Sequence, residues 1–268
     1  MGSIYRFEKI EFFRQLIQEK ALTFVLPQLW DDKREGFLFR AVQSEQGTAK
    51  VLEALKKIAP SAKDLSPNIA LLRAFRYSRY AQCWSRCSEN GALWKGYQVR
   101  LEVERDDISK LDGIKAYDVR YVDSIKLEDE LKSLFTHQDE KTLTWESENI
   151  LLTKRIEFSY EQEVRLLTEV VIENTVDMKP PSMTLAMAVV LQREYQQGKI
   201  TKDQFERCLN SIPISMIKKV SIAHVPNFIR SVMLNPFEPP AIDEEMARFC
   251  AQNSLNYLGK SKMYEFNL

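Results

Sequence analysis

The stretch FSYEQEVRLLTEVVIE, residues 158–173, limits the folds open to this chain. From Phe158 to Leu166 it alternates at period two. Phe158, Tyr160, Val164 and Leu166 fall to one side, and Glu161, Glu163 and Arg165 to the other. On a strand, residues i, i+2 and i+4 share a face, so the three charges would form a row behind an apolar side. On a helix, residues two apart point in nearly opposite directions and the row dissolves. Tyr160, Val164, Leu167 and Val171 also fit a helical stripe. Against this, Val164, Thr168, Val170, Val171, Ile172, Thr175 and Val176 make the stretch rich in β-branched residues, which favour strands. The sequence therefore predicts a strand over 156–172, with Glu161 and Glu163 on one face and Tyr160 and Val164 buried on the other.

Around this strand, helical and strand patterns mix without regular alternation. EKIEFFRQLIQEK reads as a helix and ALTFVL as a strand stopped by Pro27. Residues 41–59 and NIALLRAFRYSRYA (68–81) read as helices, a helical insertion around 41–80 within a single domain, 1–268. A strand starts at Gln82, turns at Asn90-Gly91 and returns from Tyr97 to Val103; IKAYDVRYVD is another. Residues 124–152, 182–197 and 201–210 read as largely helical, with His137 in a polar helix end. SMIKKVSIAHV is a strand, DEEMARFCAQN a helix and KMYEF a last edge strand. This order predicts an α+β fold with mixed or antiparallel sheets and inserted helices, rather than a doubly wound sheet.

Composition narrows the chemistry. With 38 basic and 38 acidic residues the net charge is +0, which provides no overall attraction to nucleic acid or an acidic membrane. The longest apolar run, LAMAVVL, is too short to span a bilayer, so no membrane partner is expected. Cys83, Cys87, Cys208 and Cys250 read as free thiols of a cytoplasmic protein, the first two buried. Only two histidines are present, His137 and His224, neither near Cys83 or Cys87 in sequence, and no metal site is expected. Eight glycines make neither a G-x-G-x-x-G nor a P-loop pattern. Lys154-Arg155, just before the key strand, reads as a solvated pair, with contact to a phosphate as the alternative.

Several clusters carry a resemblance. Tyr5-Arg6-Phe7, LTFVLPQLWDD, Cys83-Trp84-Ser85, Trp94-Lys95-Gly96-Tyr97 and FSYEQEVR follow one another as in the bacterial domain-of-unknown-function family DUF2971, which the chain resembles over nearly its whole length. It departs from that pattern at Trp30-Asp31-Asp32-Lys33, where the family has N-D-P, and at Phe158, where the family has Trp. A basic residue on an early strand, an aromatic-Ser strand and then Glu-x-Glu also resembles the R-S-E arrangement of ADP-ribosyltransferases.

That second resemblance implies an ADP-ribosyltransferase-like fold and an enzyme that uses NAD to modify a macromolecular acceptor, protein or nucleic acid, in the manner of a toxin or anti-phage effector. Glu163 would stabilise the oxocarbenium-like ribose, and Glu161 would orient or deprotonate the acceptor. Arg6 would pair with the dinucleotide phosphate, and Ser85 would hydrogen-bond Glu163. Tyr5, Trp84 or Trp94 would stack on nicotinamide or adenine. The rival expectation is a non-catalytic nucleotide- or protein-binding module of the same fold. On plain structural grounds the charged row is a solvated strand face, Arg6 a surface charge, Ser85 an ordinary strand serine, and the tryptophans packing residues.

Overall fold

The computed structural model describes residues 2–30, 37–42, 44–58, 79–123, 126–139, 142–145, 151–169 and 217–264, with isolated positions between 60 and 72 and between 194 and 204. In chain order the elements are β1 (Ser3–Glu8), α1 (Ile10–Glu19), β2 (Ala21–Val25), α2 (Phe37–Ala41), α3 (Glu45–Ile58), β3 (Arg79–Ser85), β4 (Val99–Glu104), β5 (Ile114–Asp118) and β6 (Arg120–Val122). They continue with α4 (Leu127–Leu134), β7 (Phe135–Asp139), β8 (Thr142–Trp145), β9 (Thr153–Arg155), β10 (Glu163–Glu169), β11 (Ile217–Ser221), β12 (Ser231–Leu234), α5 (Pro240–Gln252) and β13 (Tyr257–Lys260).

Nine strands form one sheet. Its main path is β11-β2-β3-β1-β4-β12-β13, with β10 on β3 and β5 on β10. Only the β12–β13 pair in it is parallel. Short separate ladders join β6 to β9 and β7 to β8. The architecture is α+β with a mixed, mostly antiparallel sheet.

One strand organises the centre. β3 is paired along its length with β10, from Glu163 opposite Ser85 to Glu169 opposite Arg79. Its other edge is shared: β1 meets it only at Tyr5–Ser85 and β2 only at Val25–Ala81. The sheet therefore forks between β1 and β2.

The two faces carry separate cores. Val164 and Leu166 of β10, with Tyr80 and Trp84 of β3, pack under Phe13, Leu16 and Ile17 of α1 and Met246 and Cys250 of α5. Ala81 and Leu167 face the other way, under Leu38, Val51, Leu55 and Leu131 of the helical layer. The 3.6-residue spacing of Phe13, Leu16 and Ile17 is what lets one side of α1 bury. The helix ends at Lys20, whose left-handed backbone (φ 50°) returns its N–H to Leu16 O before β2 begins.

The structure corrects several local expectations. The predicted strand over 156–172 begins only at Glu163. Residues Ile156–Glu161 form a 3-10 turn, and Gln162 closes it in the left-handed region with φ 43°. Glu161 therefore does not share a strand face with Glu163, and Tyr160 is 43% exposed rather than buried. Positions 170–172 lie outside the described residues, as do the expected helices over 182–197 and 201–210 apart from a few isolated positions. The helix expected through Ala81 has given way to β3 from Arg79. IKAYDVRYVD is broken at Val119, whose N–H goes to Glu163 O, so β5 and β6 enter different sheets. Among the described residues of 124–152 the expected helix is confined to α4, and His137 lies in β7. Among the described residues the last strand is β13; of KMYEF, Met263 and Tyr264 form a turn and Glu265 and Phe266 lie outside the described residues. Cys83 is exposed and Cys87 half-buried; neither is a buried thiol. No helix among the described residues is long and apolar enough to cross a membrane.

Candidate functional site

Register sets Tyr5, Ser85 and Glu163 abreast on three neighbouring strands. Arg165 stands opposite Cys83. Directly paired residues point to the same side of a sheet, so these five side chains share the face covered by the helical layer. In this row Glu163 and Arg165 occupy positions equivalent to that of the core residue Leu167. Their charges are buried: Glu163 is 3% exposed and Arg165 0%.

Burying unpaired charge is costly, and this cluster pairs all of its members. Arg165 Nε donates to Glu163 Oε1 at 2.7 Å, and Arg165 Nη2 to Glu163 Oε2 at 3.1 Å. Arg165 Nη1 also donates to Leu151 O. Lys154 Nζ, from β9, donates to Glu163 Oε2 at 3.0 Å and to Glu161 Oε2 at 2.6 Å. The Trp30 ring covers Arg165, with Cζ 4.5 Å from its centroid, and the Phe158 ring lies 5.0 Å from Lys154 Nζ. The Glu163 N–H donates to the Tyr121 hydroxyl at 2.7 Å. Burial pushes the Glu163 carboxyl up, but the Arg165 charge and hydrogen bonds, the Lys154 charge and a hydrogen bond from Cys83 outweigh it and hold the group at about 2.

The two glutamates thus converge, though not as the period-two pattern predicts. The left-handed Gln162 turns the chain between them, and Lys154 gathers both carboxylates. Glu161, with a side chain 20% exposed, is the end of this ionic chain nearest solvent.

The fork brings further groups to that end. The Tyr97 hydroxyl lies within electrostatic reach of Cys83, Glu161, Arg6 and Lys154; burial first, then the negative groups, push it up. Asn235 fixes this loop, its Nδ2 donating to Trp94 O at 2.6 Å and to Tyr97 O at 2.7 Å. Arg6 begins on the opposite side of β1 from Tyr5. Its guanidinium pairs with Glu8 at 3.0 Å.

Other expected partners differ. Ser85 Oγ does not bond the Glu163 carboxylate; it donates to Glu161 O at 2.6 Å and accepts from Cys87 N–H at 2.9 Å, bracing the 3-10 turn. Trp84 is in the first core, its Nε1–H donating to Gln82 Oε1 at 2.8 Å. Trp94 is buried edge-on to Phe7, with centroids 4.9 Å apart. Neither indole offers an open face for stacking. Tyr5 is half-buried, and Arg100 Cζ lies 4.9 Å from its ring centroid. Tyr121 and Asn235 escape a reading of the sequence, and Tyr97 enters it only as part of the Trp94–Tyr97 cluster. Lys154 had one visible sign, its place beside Arg155, and that suggested solvent.

Glu8 is a buried carboxylate whose Oε1 has no hydrogen-bond partner among the described residues. Burial raises its affinity for a proton, with Arg6 opposing. Its folded proton affinity exceeds the unfolded one, so this contribution to stability is full below pH 4.5 and declines as the pH rises through the folded value. Glu8→Gln, which cannot titrate, is expected to gain stability over the wild type between pH 4 and pH 7. Urea unfolding of both proteins at the two pH values checks this; a constant difference would refute it.

Among the described residues no group of three or more His, Cys, Asp or Glu side chains is placed to hold a metal ion. No family model, curated protein or solved structure matches this chain.

Proposed function

We propose that NAD binds where the ionic chain of Glu163, Lys154 and Glu161 meets solvent beside the fork, and that the protein is an ADP-ribosyltransferase-like enzyme acting on a macromolecular acceptor. The observation that carries this reading is the alignment of Tyr5, Ser85 and Glu163 on adjacent strands, with Glu161 at the solvent end of their ionic chain. The resemblance to the R-S-E order supports it.

In this reading Glu161 faces the reacting ribose. The bond from C1′ to the nicotinamide nitrogen breaks, and its electron pair leaves with nicotinamide. Positive charge develops at C1′, where a carboxylate stabilises it. The acceptor then bonds C1′ and its proton passes to Glu161. Glu163 and Arg165 are positioning residues that hold Lys154, and through it Glu161. Arg6 and Lys154 supply positive charge for the diphosphate.

Glu161→Gln is expected to lower NAD turnover on the order of 10²-fold. Its unfolding midpoint should stay near that of the wild type, because the side chain is at the rim. Calorimetric titration with NAD, nicotinamide release and acceptor labelling in lysate provide the readouts. Unchanged turnover in Glu161→Gln, or a wild type that neither binds nor consumes NAD in lysate, defeats the proposal.

One observation favours a second reading, a non-catalytic binding module: both Glu163 oxygens are already engaged by Arg165 and Lys154. Saturable NAD binding with no turnover in lysate would select it.

A further inference from the structure

The last carbonyls of a helical turn have no partner inside it. At the end of the 3-10 turn Ile156–Glu161 those carbonyls flank Glu161 itself. One segment, Ser85–Asn90, takes three in succession. Asn90 Nδ2 donates to Tyr160 O at 2.8 Å, Ser85 Oγ to Glu161 O at 2.6 Å and the Arg86 N–H to Gln162 O at 2.9 Å.

The three contacts differ in origin. The Arg86 bond continues the pairing of β3 with β10, and Ser85 stands in that ladder opposite Glu163. Asn90 lies beyond the ladder. Its amide is oriented, because Oδ1 accepts the Ala92 N–H at 2.8 Å as the cap of the short helix Gly91–Trp94. That helix is fixed at its other end: Trp94 is buried edge-on to Phe7, and Asn235 Nδ2 donates to Trp94 O. Asn90 therefore ties an anchored helix to the carbonyl of the Tyr160–Glu161 peptide. This peptide is planar, so holding its oxygen sets the direction in which Glu161 leaves the backbone. Lys154 Nζ holds the same residue at its carboxylate, 2.6 Å away.

We infer that Asn90 is a positioning residue for Glu161, acting through the Tyr160–Glu161 peptide; this rests on the reading of Glu161 as the carboxylate that faces the ribose. Asn90 aims that carboxylate and leaves the affinity for NAD to other groups. A reacting group displaced by about 1 Å costs on the order of 10²-fold in rate.

Asn90→Ser separates the two duties of the side chain. A serine oxygen still caps the Ala92 N–H but lacks the second arm that reaches Tyr160 O; Asn90→Ala loses both. Nicotinamide release in lysate, thermal melting and hydrogen exchange over residues 156–163 are compared in wild type and both variants. Both variants are expected to lower kcat about tenfold or more, to keep KM for NAD within about twofold and to speed exchange in the turn. Only Asn90→Ala should also melt clearly lower. A wild-type kcat in Asn90→Ser overturns the role of Asn90, as does unchanged exchange over 156–163. Turnover that follows melting temperature, low in Asn90→Ala and normal in Asn90→Ser, also overturns it and leaves a helix cap. A wild type without turnover defeats the reading of the site and this role together, whereas normal wild-type turnover with an indifferent Asn90 defeats this role alone.

Discussion

Arg165→Met is expected to destabilise the fold by about 3–5 kcal/mol, the usual cost of removing one partner from a buried ion pair. The side chain is fully buried and makes two hydrogen bonds to Glu163 and one to Leu151 O. Methionine fills much of the volume but leaves Glu163 with Lys154 as its remaining cation and Leu151 O without the Nη1 donor. Arg165→Lys should cost less but remain destabilising, since an ammonium cannot match the two-pronged contact. Adding Glu163→Leu to Arg165→Met should recover a large part of the loss, because the buried charge goes with its partner. Urea unfolding of the two single variants and the double variant forms the cycle. A loss under about 1 kcal/mol in Arg165→Met would mean that the pair is effectively solvated.

The same carboxylate makes the fold acid-sensitive. Glu163 titrates at about 2 when folded and near its ordinary 4.5 when unfolded. A depressed folded value stabilises the native state above the unfolded one, and that contribution is lost as the pH falls from 4.5 towards 2. The difference corresponds to about 3 kcal/mol at neutral pH. Wild-type stability should therefore fall steeply across this window, and Glu163→Gln, less stable at neutral pH, should show a shallower acid limb. Urea unfolding at half-unit pH steps measures both slopes. Parallel curves for the two proteins would place the acid sensitivity elsewhere. Because Glu163 is 3% exposed, its replacement acts on folding and not only on a solvent-facing site.

Sequence periodicity was informative where one side of an element meets one core. The stripe of Phe13, Leu16 and Ile17, the Val51–Leu55 pair of α3 and the α+β class were all legible for that reason. It misled where a break depends on distant partners. FSYEQ alternates like a strand, yet residues 156–161 coil as a 3-10 turn whose backbone is held by Ser85 and Asn90 from far along the chain. Ser85 and Glu163 do stand abreast on paired strands, but the expected bond between them is replaced by one from Ser85 Oγ to Glu161 O. The role of Lys154 was not legible. A lysine is buried by its partners, and these partners lie seven and nine residues away across a turn that local propensity does not encode.

The pairing of β3 with β10 has a consequence for synthesis. Ser85 and Glu163 face each other across a long stretch of chain. At ribosomal rates, roughly 4 to 16 s separate the emergence of the two strands. Throughout that interval the later edge of β3 lacks its partner, and its row of N–H and C=O groups can pair with another chain. The partly made protein is therefore stickier than the finished one. Slowing translation between the two segments should lower the yield of soluble product more than the same delay placed after residue 169.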